Sequence, residues 1–140
     1  MNYLSKSTYT YPAIFQKQDE GGYHIYFPDI EDCFTCGDDI EDGLFMARDV
    51  LAFTIFEKYE ELDITLPVPT PIKQVEIGKD EFVSYIVCNT MEYRRKFSKK
   101  AVKKTLTIPE WLNEAALEQK INFSQVLQEA LKDRLNLQSK

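Results

Sequence analysis

Cysteine, histidine and long apolar runs are scarce in this chain, and each shortage excludes something. Three cysteines in 140 residues, an odd number, make no disulfide framework, and a reducing cytoplasm is the compartment that such usage suits. A single histidine, His24, gives catalysis and zinc ligation little to work with. No run of about 18 apolar residues exists, so no membrane-spanning helix is expected. The opening Met1-Asn2-Tyr3-Leu4-Ser5-Lys6 lacks the long apolar core of a secretion signal. Internal repeats and low-complexity tracts are missing too. The composition that remains, 44% hydrophobic and 29% charged, suits a globular protein. Its length allows one ordinary domain or two small ones.

The net charge of −6 hides a split along the chain. Through Glu92 there are 18 acidic residues against six basic ones, a net of −12; from Tyr93 onward 11 basic residues face five acidic ones, a net of +6. That polarity points to two partners of opposite sign, a basic one for the first half and a polyanion for the second.

The first half reads as β-β-β-α-β. Tyr9 to Gln18 is a strand, Asp19-Glu20-Gly21-Gly22 a hairpin turn, Tyr23 to Phe27 the return strand, and Cys33 to Cys36 a third. Asp39 is placed to cap a helix on which Ile40, Leu44, Ala47, Leu51, Ile55, Tyr59 and Leu62 form one stripe toward the sheet. Leu66-Pro67-Val68-Pro69-Thr70-Pro71 makes a stiff extended connector. Phe82 to Asn89, apolar on both faces in part, reads as a strand inside the sheet. Thr90 is placed to cap a short helix over Met91–Phe97, and Ser98-Lys99-Lys100-Ala101 reads as a hinge.

Val102-Lys103-Lys104-Thr105-Leu106-Thr107-Ile108-Pro109 alternates, with Leu106 and Ile108 on one face and Lys103, Thr105 and Thr107 on the other. Pro109 is suited to open a helix running to Gln119 and burying Leu112, Ala115 and Ala116. Asn122 sits at the turn, where a left-handed backbone is expected. Ser124 is a candidate N-cap for a last helix burying Val126, Leu127, Ala130, Leu131 and Leu135. One strand and two short helices close no core alone, because the strand has no partner for its backbone groups. A second copy supplies that partner. The polar face then becomes a two-stranded ribbon of Lys and Thr that fits the major groove of DNA.

Signs of catalysis are weak. Cys33-Phe34-Thr35-Cys36 has the C-x-x-C form but lies on a short strand, not at a helix N-terminus. Asp29, Asp32, Asp38 and Asp39 are imaginable as Mg²⁺ ligands of a nuclease, yet they flank turns and caps in an acidic half. No metal and no cofactor is expected.

Tyr11-Pro12-Ala13-Ile14-Phe15, Gly21-Gly22-Tyr23, Phe27-Pro28-Asp29-Ile30, Cys33-Phe34-Thr35-Cys36-Gly37 and Leu66-Pro67-Val68-Pro69 together resemble the HicB antitoxin family over nearly the whole length. The tail resembles a ribbon-helix-helix domain. The resemblance implies an α+β protein. A degenerate RNase H-like domain (1–92) without catalytic carboxylates would be followed by a hinge (93–101) and a ribbon-helix-helix domain (102–140). It implies binding of a small basic HicA-type ribonuclease toxin, and repression of the operon's own promoter by a DNA-binding homodimer. Expected toxin contacts are Tyr23, Asp29, Glu31 and Asp32. Expected DNA contacts are Lys103, Thr105 and Thr107, with Lys100, Lys104 and the helix start at Ser124 on phosphate. Leu106, Ile108, Leu112, Leu127 and Leu131 would form the dimer core. Gly43 stands where the family commonly has Ala, at a helix-propensity cost of about 1 kcal/mol. Two other readings stay open: a ligand-sensing regulator without a toxin, and an active nuclease of RNase H type.

Overall fold

The computed structural model describes residues 6–137. The chain divides into two compact units, Met1–Lys100 and Ala101–Lys140. The first contains β1 (Thr8–Lys17), β2 (Tyr23–Tyr26), β3 (Phe34–Gly37), α1 (Ile40–Ile55), β4 (Glu81–Asn89) and α2 (Met91–Phe97). The second contains α3 (Glu110–Glu118) and α4 (Phe123–Arg134). The β-β-β-α-β succession is the one expected. No helix among the described residues is long and apolar enough to cross a membrane.

The four strands form an antiparallel sheet in the order β3-β2-β1-β4. Gly21 and Gly22, both at positive φ, make the hairpin between β1 and β2. β1 is central and contains Pro12, which has no N–H to donate. Its register explains the tolerance. The bonds Thr90 N–H to Ser7 and Lys17 N–H to Asp80 show that odd-numbered residues of β1 bond to β4. Pro12 therefore turns its nitrogen to the other side, where β2 pairs only from Ile14 onward.

The core lies between the sheet and α1. Tyr11, Ala13 and Phe15 of β1, Ile25 of β2, and Ile86 and Cys88 of β4 pack against Ala47, Leu51 and Ile55. The expected stripe on α1 holds in its middle and fails at its ends: Ile40 and Leu44 are 48% and 39% exposed. Buried Gly43 takes their place, because here the helix comes closest to the sheet. A Cβ on Gly43 would lie 2.9 Å from Ile25 Cδ1, and one on Gly37 would lie 2.4 Å from Gly43 Cα. Past Ile55 the helix widens into a π turn, Phe56–Glu60. The helix ends there, with Glu61 as its cap, so Leu62 falls in the following turn, off the stripe, and is exposed.

Strand β4 is at the sheet's edge, not inside it. Its apolar residues on both faces have separate explanations. Ile86 and Cys88 enter the core, whereas Val83, Tyr85 and Val87 share the outer face with Ile14, Pro12 and Thr10. The connector from α1 is tied down at three points. Tyr11 Oη donates to the Pro67 carbonyl at 2.5 Å, Thr70 binds Asp29, and the Ile72 N–H donates to Tyr85 Oη at 3.2 Å.

In the second unit Pro109 is the residue before α3, with extended ψ of 142°, so the helix starts one residue later than expected. Asn122 caps α4 by accepting from the Gln125 N–H at 3.0 Å. This corrects the Ser124 assignment: Ser124 lies inside the helix and its Oγ accepts from Gln128. The left-handed turn residue is Lys120 (φ 56°), while Asn122 has φ −84°. Cap and turn are different jobs, and the side-chain acceptor took the cap. The segment from Ala101 to Pro109 is not in a strand ladder, since a single chain offers it no partner. No described residue of this unit is buried.

Candidate partner-binding surfaces

The π turn points Glu60 inward, where it gathers donors. Tyr9 Oη lies 2.8 Å from its carboxylate, Thr90 Oγ1 2.7 Å, and Arg94 Nε and Nη2 2.8 and 2.5 Å. Burial pushes the Glu60 pKa up, but Arg94, Thr90 and Tyr9 outweigh it and hold the carboxyl below its ordinary range. Burial, together with the bond to Glu60, raises the Tyr9 phenol to about 12. Thr90 thus serves Glu60 rather than capping α2; Asn89 Oδ1 accepts from the Met91 N–H instead.

Next to it, Glu61 accepts from Ser98 Oγ at 2.8 Å and the Lys99 N–H at 2.7 Å. Lys100 Nζ reaches Asp63 at 2.6 Å and the Glu60 carbonyl at 2.5 Å. The segment expected as a hinge is therefore bound to the first unit through Lys100, and Lys100 is engaged with acids. Counted by structural unit, the charge division changes: residues 1–100 carry −7 and residues 101–140 carry +1. Five of the eleven basic residues, with no acid among them to offset the charge, belong to α2 and the segment up to Lys100.

The four residues expected to meet a toxin are not equivalent. Asp29 latches the connector, its two carboxylate oxygens accepting from the Thr70 N–H at 2.9 Å and Thr70 Oγ1 at 2.6 Å. Glu31 and Asp32 are exposed on the same loop; Asp32, at φ 56°, pairs loosely with Lys58 at 3.5 Å. Tyr23 is at the far end of β2 from that loop, packed edge-on to Phe15 and Phe82. It lines a cleft of about 550 Å³ with Lys17, Asp38, Asp39 and Glu41. These acids were legible as helix capping, and Asp39 does accept from the Asp42 N–H at 2.8 Å.

The sequence reading missed the apolar surfaces. Phe45, Met46 and Phe53 are exposed on α1, and Phe34, Tyr85 and Val87 on the outer face of the sheet. Cys33 and Cys36 diverge, the first buried and the second exposed. Burial raises the Cys33 thiol, and raises Cys88 to about 12. Among the described residues no group of three or more His, Cys, Asp or Glu side chains converges on one point. In the second unit Lys103, Lys104, Thr105, Thr107 and Ser124 are all exposed, as are Leu106, Ile108, Leu112 and Leu131; Leu127 is half-buried.

An acidic folded unit followed by a helical unit without a core of its own has the make-up of a binding protein. The chain belongs to the HicB-like antitoxin family of bacterial toxin-antitoxin systems, whose family model matches residues 11–130. This is a family of antitoxins, not of enzymes. Antitoxin HicB 1 of Photorhabdus laumondii is 44% identical over 64 residues, which is 46% of this chain and 41% of that protein. Antitoxin HicB 2 of the same organism is 36% identical over 83 residues, 58% of each. The chain thus spans about two-fifths to three-fifths of these two relatives. Among solved structures, a chain of a toxin-antitoxin complex from Streptococcus pneumoniae is 30% identical with a TM-score of 0.57, the match covering 91% of this chain and 99% of that one.

Proposed function

We propose that this protein neutralises a small basic HicA-type ribonuclease by covering its active site, and represses its own operon as a DNA-binding homodimer. The observation that carries the first part is the family match together with the −7 charge of the first unit. A cationic nuclease is drawn to such a surface over long range, and occupation of its RNA path needs no chemistry. Among the expected loop contacts, Glu31 and Asp32 suit this role best, since Asp29 already holds Thr70. The finer reading of the fold, a degenerate RNase H-like unit, is supported by the β-β-β-α-β succession and the 3-2-1-4 strand order.

Support for the second part is the lack of any buried residue in residues 101–137. Two copies pairing their 102–108 segments would bury Leu106, Ile108, Leu112, Leu127 and Leu131, and would present Lys103, Thr105 and Thr107 to a major groove. The test is to coexpress the chain with the small reading frame beside its gene. Growth arrest by that neighbour alone, relieved by this chain, and copurification of the two are expected. Arrest that persists in the presence of this chain overturns the reading.

A further inference from the structure

The two edges of the sheet are built differently. β3 is a four-residue edge, too short to template much. β4 is a nine-residue edge whose only charged residue is Glu81 at its end. It pairs one-for-one with β1 without a bulge, and contains neither Pro nor Lys. Among the described residues it therefore lacks the proline, lysine and bulge that commonly blunt an exposed edge; the connector at Ile72 bonds to the Tyr85 hydroxyl on the sheet's outer face. Its even-numbered residues bond to β1, so Val83, Tyr85 and Val87 direct their N–H and C=O groups to the open side. Tyr85 is 47% exposed and Val87 53%.

We infer that this edge pairs with β4 of a second copy of the chain, antiparallel about a two-fold axis at Tyr85, to make one continuous sheet. The register follows from the free backbone groups. Centred on Tyr85, it sets Val83 opposite Val87 of the other copy and Glu81 opposite Asn89. Apolar residues meet apolar ones and no like charges face each other. A self-complementary patch is what a two-fold interface requires.

Helix α1 carries the same symmetry. Glu41, Leu44, Phe45 and Arg48 line a groove of about 410 Å³ along the edge with Tyr85, Ile86 and Val87. Glu41 and Arg48 are two turns apart on one side of the helix. The axis that pairs the strands runs the two copies of α1 antiparallel, placing Glu41 of each against Arg48 of the other with Leu44 and Phe45 between. An edge this neutral, beside a flank bearing one charge of each sign, fits its own copy better than it fits a strongly basic partner.

The test uses the full chain in sedimentation equilibrium, with circular dichroism to confirm folding. Leu131→Glu releases the contact made by the second unit, and in that background Val87→Lys should halve the mass of the assembly. Glu41→Arg and Arg48→Glu should each raise the dissociation constant of this contact about tenfold, since each turns two partly exposed ion pairs into repulsions. The swap Glu41→Arg with Arg48→Glu should restore it. Because the helix variants lie on the surface, they decide the matter if Val87→Lys fails to fold. An unchanged mass in folded variants, or a swap that does not restore, overturns the proposal. If Val87→Lys leaves the mass alone yet abolishes capture of a basic toxin, the strand belongs to the toxin and self-pairing is wrong.

Discussion

Replacing Glu60 by Gln keeps the side chain's shape and removes its charge. Four donor contacts converge on that carboxylate, from Tyr9, Thr90 and two nitrogens of Arg94. The Tyr and Thr hydroxyls can turn to accept from an amide, but Arg94 cannot, so it loses one of its two acceptors on residue 60 and keeps the Lys6 carbonyl. A hydrogen bond to a charged group contributes about 1.5–3 kcal/mol, and breaking a buried pair by removing one partner costs more than the pair is worth. The side chains of Arg94 and Glu60 are 18% and 13% exposed, which argues for the lower part of that range. We expect a loss of about 2 kcal/mol, or about 8–16 °C in the melting of a unit of about 100 residues. The assay is far-ultraviolet circular dichroism; Trp111, the only tryptophan, belongs to the other unit and will not report the change. The pH dependence supplies a second check. The folded Glu60 pKa lies below its ordinary 4.5, so its contribution is present above the unfolded value and is lost as pH falls through the folded one. Wild type and variant should therefore converge at the acid end. A melting shift under about 2 °C at neutral pH, or one of equal size at acid pH, refutes the network as a stabilising element.

Gly37→Ala should destabilise the first unit by about 3 kcal/mol in denaturant titration, because the new Cβ meets the backbone of Gly43, which cannot rotate away. Leu131→Glu should weaken self-association of the second unit about a hundredfold and abolish DNA binding, while first-unit melting stays put; sedimentation and gel shifts read both. Thr105→Ala and Thr107→Ala should relax sequence preference by about 1–3 kcal/mol per position, whereas Lys104→Ala should weaken all duplexes alike.

Elements with strong local signals were legible in the sequence. The Gly21-Gly22 hairpin, the Asp39 cap and the β-β-β-α-β order follow from turn chemistry, a side-chain acceptor and hydrophobic period. What was not legible depends on contacts distant in sequence. The edge position of β4 was hidden because an apolar pattern reports which faces are covered, whereas the neighbours of a strand are set by its backbone groups, which the pattern does not show. Gly43 reads as a helix defect until Gly37, Ile25 and Phe15 are seen crowding it. Of the loop acids, Asp29 was recognisable as acidic, but its engagement by Thr70, 41 positions away, was not.

The same long-range contacts redistribute the charge. Along the chain, the basic residues from Arg94 to Lys100 count with the tail. In the structure Arg94 is paired with Glu60, Lys96 with Glu92 and Lys100 with Asp63. Among the described residues, Arg95, Lys99, Lys103 and Lys104 make no ion pair within the chain and are free to meet a phosphate. On the proposed reading, a bound polyanion would compete with the acids that hold Lys100. Asp63→Asn removes one of them and leaves residues 101–140 unchanged. It should tighten non-specific DNA binding and steepen the dependence of log K on log salt by about 0.9 for each Lys100 that reaches a phosphate. If the slope is unchanged in Asp63→Asn and also in Lys100→Ala, Lys100 serves only to anchor the end of the first unit. The attraction for DNA would then rest on residues beyond it.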